Sequence, residues 1–284
     1  MAARGDTAIS RSGWRFIVSY SESPSAPESR ERLVELTLAA ASGSLERCVR
    51  RSRRAETWVT RIGGPDNPLA YFKVLDPAPG FAAIRRRLRL EGAHRVAAIS
   101  KSLRSDGFDV PEVLLIGFER AGGREMIVTR RIEGAMPPRF LRERQGGLAG
   151  KRAMLRALGA EVARLHRTGY LHGDLTPYNL LITAAAPPRF AFIDHERTRR
   201  TIRSRFERMR LRNLVQLGHS NLPNLTNSDR MRVWAGYAAT IAPAHRRAAL
   251  RRAVALIRAR MTRERARAAA QPAIMPRRRE AEGG

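Results

Sequence analysis

His172-Gly173-Asp174 is followed by Asn179, five residues after the aspartate, and by Asp194, twenty residues after it, at the end of the run Phe190-Ala191-Phe192-Ile193. Each of these polar residues stands beside a short apolar stretch that reads as a strand. A carboxylate, an amide and a second carboxylate at such spacing can serve phosphoryl transfer. One group orients an attacking hydroxyl, and two oxygen donors hold magnesium against a triphosphate. Such a site also needs a cation for the phosphates and a scaffold that brings it near.

Lys73 is the candidate cation. Of 54 basic residues only Lys73, Lys101 and Lys151 are lysine, and Lys73 lies inside the strand-like run Leu69-Ala70-Tyr71-Phe72-Lys73-Val74-Leu75. A compact ammonium on a flexible stem suits a phosphate contact; a solvent-facing lysine on an edge strand is the plainer alternative. Glu91 follows Leu88 by three residues and Ile84 by seven, which sets it at the margin of a helical apolar face. It can pair with Lys73 and aim the ammonium, or remain solvated beside Arg87 or Arg95.

The remaining elements are ordered to carry these groups. Residues 1–12 have no ordering pattern, Trp14-Arg15-Phe16-Ile17-Val18 reads as a strand, and Glu28 opens a helix that ends near Ser42-Gly43-Ser44. Strands are expected at roughly 45–50, 57–62 and 69–75. A helix after Gly80 carries Ile84, Leu88, Val96, Ile99 and Leu103, and a hairpin spans Val110–Gly117 and Met126–Thr129, which completes an antiparallel sheet of about five strands. Arg130-Arg131-Ile132-Glu133-Gly134 then links to a helical part, where Met154, Leu155, Leu158, Val162 and Leu165 repeat at helical spacing and lead into His172. Beyond Asp194 three amphipathic helices are expected, around Phe206–Leu217, Met231–Tyr237 and Leu250–Ile257. The divisions are an N-terminal extension at 1–44, a sheet lobe at 45–130, a helical lobe at 131–270 and a basic tail at 271–284.

Composition limits the partners. The 284 residues can bury a sizeable core, and one cysteine, Cys48, excludes an internal disulfide framework and fits a reducing, cytoplasmic compartment. No run reaches the ~20 apolar residues of a membrane span, and the first residues lack the apolar core of a signal peptide. The net charge of +28 calls for an anionic partner or reflects a basic bias of composition. Aromatic content of 6%, with no zinc-ligand spacing and no aromatic RNA-binding signature, argues against specific nucleic-acid recognition. An anionic membrane surface or glycolipid accounts for the arginines at least as well.

The spacing of His172-Gly173-Asp174 and Asn179 matches the kinase catalytic loop, with glycine where protein kinases carry arginine. With Tyr71-Phe72-Lys73, Glu91 and Ile193-Asp194-His195-Glu196-Arg197, the chain resembles the kinase-like superfamily. Within it, it resembles the bacterial lipopolysaccharide core kinases that phosphorylate Kdo or heptose sugars of lipid A–core. The resemblance implies an α+β, protein-kinase-like two-lobe fold: a small antiparallel sheet with one main helix, and a mainly helical second lobe. It implies ATP and Mg2+ as cofactors, Asp174 as the residue that takes the hydroxyl proton, Asn179 and Asp194 as magnesium ligands, and Lys73, held by Glu91, at the α/β-phosphates. An anionic glycolipid or sugar is the implied acceptor, met at the inner face of the inner membrane.

Two departures qualify it. Val49-Arg50-Arg51-Ser52-Arg53-Arg54 stands where a glycine-rich loop is expected, so Ser52 and arginines such as Arg53 are candidates to cover the phosphates. His195-Glu196 replaces Phe-Gly, which argues against a regulated protein kinase and leaves Glu196 as a further metal or water ligand or a surface carboxylate. A kinase of a soluble small molecule, an atypical protein kinase and a non-catalytic basic binding protein of the same fold are the alternatives.

Overall fold

The computed structural model describes residues 7–18, 27–52, 54–62, 69–77, 80, 92–143, 147–201, 203–218, 225–241 and 243–270. Seven strands form one antiparallel sheet in the order β1-β2-β6-β7-β5-β4-β3. They are β1 (Thr7–Arg11), β2 (Trp14–Val18), β3 (Cys48–Arg51), β4 (Ala55–Arg61), β5 (Leu69–Leu75), β6 (Val113–Glu119) and β7 (Glu125–Arg130). The five-stranded expectation is thus exceeded. Residues 7–11 are a strand rather than unpatterned chain, and β2 pairs β6 from Trp14↔Glu119 to Val18↔Leu115, so the N-terminal segment is built into the sheet.

Period-two alternation decides which face each side chain joins. Phe72, Val74, Leu115, Met126 and Val128 pack with Phe16 against Leu33, Val34 and Leu36 of helix α1 (Pro27–Ser42). Their neighbours Ile116 and Ile127 turn the other way, onto Ala93 and Val96 of helix α2 (Ala93–Ser105). The sheet therefore has a helix on each face, where one main helix was expected.

Helix α2 also starts later than its apolar pattern implies. Gly92 has φ of +81°, a left-handed conformation that ends any helix reaching it, so Val96 and Leu103 belong to a helix that opens at Ala93. Ile84 and Leu88 lie outside the described residues, as does Glu91. The Glu125 carboxylate, buried on β7, accepts a 2.8 Å hydrogen bond from the Ala93 N–H and so caps the helix from the sheet. A Cβ on residue 92 would stand 2.1 Å from Glu125 Oε2, so any other residue there would displace the capping carboxylate as well as strain φ.

The helical part holds the second core. Helices α3 (Pro137–Glu143), α4 (Gly147–Arg167), α5 (Arg203–Gly218), α6 (Asn227–Ala238) and α7 (Pro243–Ala270) surround the hairpin of β9 (Leu180–Ala185) and β10 (Pro188–Phe192). The predicted stripe on α4 is buried at Met154, Leu155, Leu158, Val162 and Leu165. Two short strands, β8 (Tyr170–Leu171) and β11 (Arg199–Arg200), pair across the segment that contains His172 to Thr198. Among the described residues no helix is long and apolar enough to cross a membrane. The expected basic tail at 271–284 lies outside the described residues. This mixed architecture, a large antiparallel sheet and seven described helices, is compatible with a kinase-like fold.

Candidate active site

Strand β5 runs between β4 and β7, with Lys73 registered to Thr57 on one side and Ile127 on the other. Ala70, Phe72 and Val74 face the α1 side, so alternation turns Lys73 to the opposite face. There it lines a cavity of about 360 Å³ together with Asp174, Asp194 and Glu196. The position inside an apolar strand is thus a consequence of the pleat and not a sign of an edge.

The loop after β8 is fixed from several sides. His172 is fully buried, and its Nε2 donates to the Ile193 carbonyl at 2.9 Å, which ties the loop to the segment that leads from β10 to Asp194. Burial holds His172 below the ordinary histidine pKa, so it acts as a neutral tether. Gly173 has φ of +76°, and a Cβ there would approach the Arg197 carbonyl oxygen to 2.3 Å. That contact explains glycine in the motif: the chain after Asp194 passes too close for an arginine at 173.

Asn179 Nδ2 donates to the Asp174 carbonyl at 2.8 Å and lies 3.3 Å from Asp174 Oδ2. Its carbonyl accepts from the Ile193 N–H at 3.0 Å, so Asn179 and Asp194 are separated by one backbone hydrogen bond. Asp194 itself has φ of +64° and ψ of +66°, a conformation that costs a non-glycine residue energy and persists only where its surroundings impose it. It opens a 3-10 turn over His195–Arg197. His195 is buried beneath that turn, where its Nε2 donates to the Phe192 carbonyl at 2.9 Å.

Lys73 Nζ is 3.5 Å from Asp194 Oδ1 and ion-paired to Glu196. Burial works against its charge, but the attraction and hydrogen bonds of Asp194 and Glu196 outweigh that and raise its pKa above the ordinary lysine value. Arg95 of α2 donates to the backbone carbonyls of Glu196, at 2.9 Å, and Thr198, which docks the helix onto the same turn.

Of the expected site residues, Lys73, Asp174 and Asp194 meet in this cavity. Asn179 joins Lys73 and Asp194 in an adjoining cleft of about 560 Å³ that extends to Thr129, Ile132 and Gly134. Ser52 lines the first cavity, but its hydroxyl is engaged in the β3–β4 turn, donating to the Ala55 carbonyl at 3.0 Å and accepting from the Ala55 N–H at 3.1 Å. Arg53 and Glu91 lie outside the described residues, while Arg50, Arg54 and Arg197 line the cavity. Sequence spacing did not reveal the Glu196–Lys73 pair, nor the buried amides Asn213 and Gln216 under the loop. The latter left a signal, two polar residues at i, i+3 inside the apolar stripe of α5.

The group is chemically consistent with a divalent cation that prefers oxygen. Asp194 offers carboxylate oxygens, and with Asn179 Nδ2 engaged the Oδ1 of that amide makes no hydrogen bond among the described residues. No cluster of three His, Cys, Asp or Glu side chains with metal-holding geometry occurs among the described residues. Magnesium bound through one or two carboxylates plus phosphate oxygens requires none.

No individual curated protein matches the chain. The sequence pattern of the lipopolysaccharide kinase (Kdo/WaaP) family matches residues 83–237, which include the His172–Asn179 loop and Asp194 to Arg197. As that match spans more than half of the 284 residues, the chain belongs to the lipopolysaccharide kinase (Kdo/WaaP) family.

Proposed function

We propose that this protein moves the γ-phosphate of ATP to a sugar hydroxyl, Kdo or heptose, of the lipid A–core of lipopolysaccharide. The observation that carries the proposal is the convergence of Lys73, Asp174 and Asp194 on one cavity, with Asn179 bonded to Asp174 at its edge. In this reading the sheet and the helical part form two lobes with the nucleotide between them. The base lies in the 560 Å³ cleft against Ile132 and Gly134.

Lys73, kept protonated by its acidic neighbours, contacts the α- and β-phosphates. Asp194 and Asn179 Oδ1 would hold Mg2+, which supplies charge neutralisation along the triphosphate when bound. Asp174 orients the acceptor hydroxyl and takes its proton as the phosphoryl group transfers. Arg50, Arg54 and Arg197 surround the phosphates with charge in place of a glycine cradle.

The acceptor is an anionic glycolipid, and the excess of basic residues draws the enzyme to the anionic cytosolic face of the inner membrane. The test is transfer of labelled γ-phosphate from ATP to purified lipid A–core glycolipid, with the delipidated core saccharide and a generic protein acceptor in parallel. Label in the glycolipid or its saccharide, lost in Asp174→Ala and Lys73→Ala, supports the proposal. Label in the protein acceptor alone, or turnover unchanged in both variants, overturns it.

A further inference from the structure

Helix α5 carries two amides on its buried face, Asn213 at 2% and Gln216 at 5% exposure, among Leu211, Leu214 and Leu217. Asn213 Oδ1 accepts from the His172 N–H at 3.0 Å. Gln216 Oε1 accepts from the Leu175 N–H at 3.3 Å, and Gln216 Nε2 donates to the Gly173 carbonyl at 2.9 Å. Three backbone groups flanking Asp174 on both sides are therefore held by two side chains.

Their hydrogen bonds run in one direction. Backbone N–H groups only donate, so both amide oxygens are fixed as acceptors, and Asn213 Nδ2 then donates to Gln216 Oε1 at 2.9 Å. Asn213 Oδ1 also lies 3.2 Å from His166 Nε2, which must donate to it, and that leaves His166 Nδ1 to accept from the Tyr237 hydroxyl at 2.9 Å. His166 on α4 and Tyr237 on α6 are themselves buried. Four polar side chains from three helices are thus buried with their bonds made, where an apolar contact would hold the helices together without them.

We propose that Asn213 and Gln216 are positioning residues that set the backbone of the His172–Leu175 segment and thereby aim the Asp174 carboxylate, with His166 and Tyr237 fixing the orientation of the Asn213 amide. The proposal rests on the reading of Asp174 as the group that orients the attacking oxygen. Neither amide touches the nucleotide cleft, so their removal acts on turnover and spares nucleotide binding. The cleft is lined instead by Lys73, Asn179 and Asp194.

Gln216→Glu gives the sharpest test. A protonated glutamic acid reproduces both bonds, accepting from Leu175 and donating to Gly173, whereas the carboxylate faces the Gly173 carbonyl with no hydrogen. His166 and His172 are both held below the ordinary histidine range by burial, and Asp174 is common to both proteins, so the ratio of variant to wild-type turnover reports the introduced acid.

Intrinsic ATP hydrolysis is measured from pH 5.5 to 8.5 beside the affinity for Mg2+–ATP, with Gln216→Ala as a second variant. We expect the ratio for Gln216→Glu to fall by about tenfold or more with rising pH, and Gln216→Ala to lose about ten- to a hundredfold in kcat at unchanged nucleotide affinity. If Gln216→Ala does not fold, the pH-dependent ratio decides. A ratio that stays at unity across the range, with Asp174→Asn inactive, overturns the positioning role alone. Full turnover in Asp174→Asn overturns the reading of Asp174 and the proposal with it.

Discussion

Lys73 is held by Glu196, two residues past Asp194, and not by any residue of helix α2, whose 13 residues contain no carboxylate. The pair places the ammonium within reach of Asp194 without leaving Asp194 as its sole anion. Glu196→Gln should therefore let Lys73 close on Asp194 and compete with a bound cation there. We expect Mg2+–ATP affinity to fall by about tenfold in Glu196→Gln, as for residues that orient a ligand without being one. Calorimetric titration of both proteins checks this, and equal affinities would count against the assignment.

Asp174 and Asn179 share hydrogen bonds but differ in expected effect. Asp174→Asn removes the proton acceptor and should lower kcat by about 10²–10⁴-fold while nucleotide affinity stays within about twofold. Asn179→Ala should instead raise the Mg2+ concentration needed for half-maximal turnover. Magnesium titrations of turnover separate the two, and an identical magnesium dependence in Asn179→Ala and wild type would remove Asn179 from the ligand set.

The Gly92–Glu125 contact is a stability prediction. Gly92→Ala forces a left-handed alanine and a clash with the capping carboxylate, so a loss of about 1–3 kcal/mol is expected. Glu125→Gln keeps an oxygen for the Ala93 N–H and should cost less than Glu125→Ala. Urea unfolding of the three variants gives the ranking.

Three buried histidines set a direction for pH. Burial lowers His166 to about 4, burial and neighbouring His172 lower His195 to about 3, and His172 is lowered by burial as well. Below the ordinary value near 6.5 the unfolded chain takes up protons that the folded chain refuses, so stability falls as pH falls. Above about pH 7 all three are neutral in both states and contribute no slope. Unfolding free energies from urea titrations should decline from pH 7 to pH 5 by up to about 1.4 kcal/mol per pH unit for each histidine involved. A flat profile over that range would show that these rings are not buried neutral.

The features legible in the sequence were those with local spacing. His172, Asp174 and Asn179 fall in one loop, Asp194 follows an apolar strand by two residues, and the α4 stripe repeats at helical period with every member buried. Lys73 stood out because lysine is rare here and it lies inside an apolar strand-like run. The Glu196–Lys73 pair was not legible, since the two residues lie far apart in the chain and no periodicity marks such a pair; Glu91, the expected partner, lies outside the described residues. Strand β1 was missed because Thr7, Ser10 and Arg11 alternate weakly and remain exposed, held by pairing to β2 rather than by burial. The break at Gly92 was hidden by an apolar pattern that continues through it; the deciding contact, Glu125, comes from a strand more than thirty residues on.

The placement of β1 and β2 bears on what is inherited as a unit. The matched pattern, 83–237, begins after Lys73 and contains only β6 and β7 of the seven sheet strands. A chain reduced to it would lack Lys73 and would expose unpaired backbone on both flanks of that hairpin, an invitation to pair with other chains. The stretch that matches the family is therefore smaller than the sheet to which its two strands belong. The loop around Asp174 lies inside the matched stretch, while the β1–β2 hairpin that pairs with β6 lies outside it.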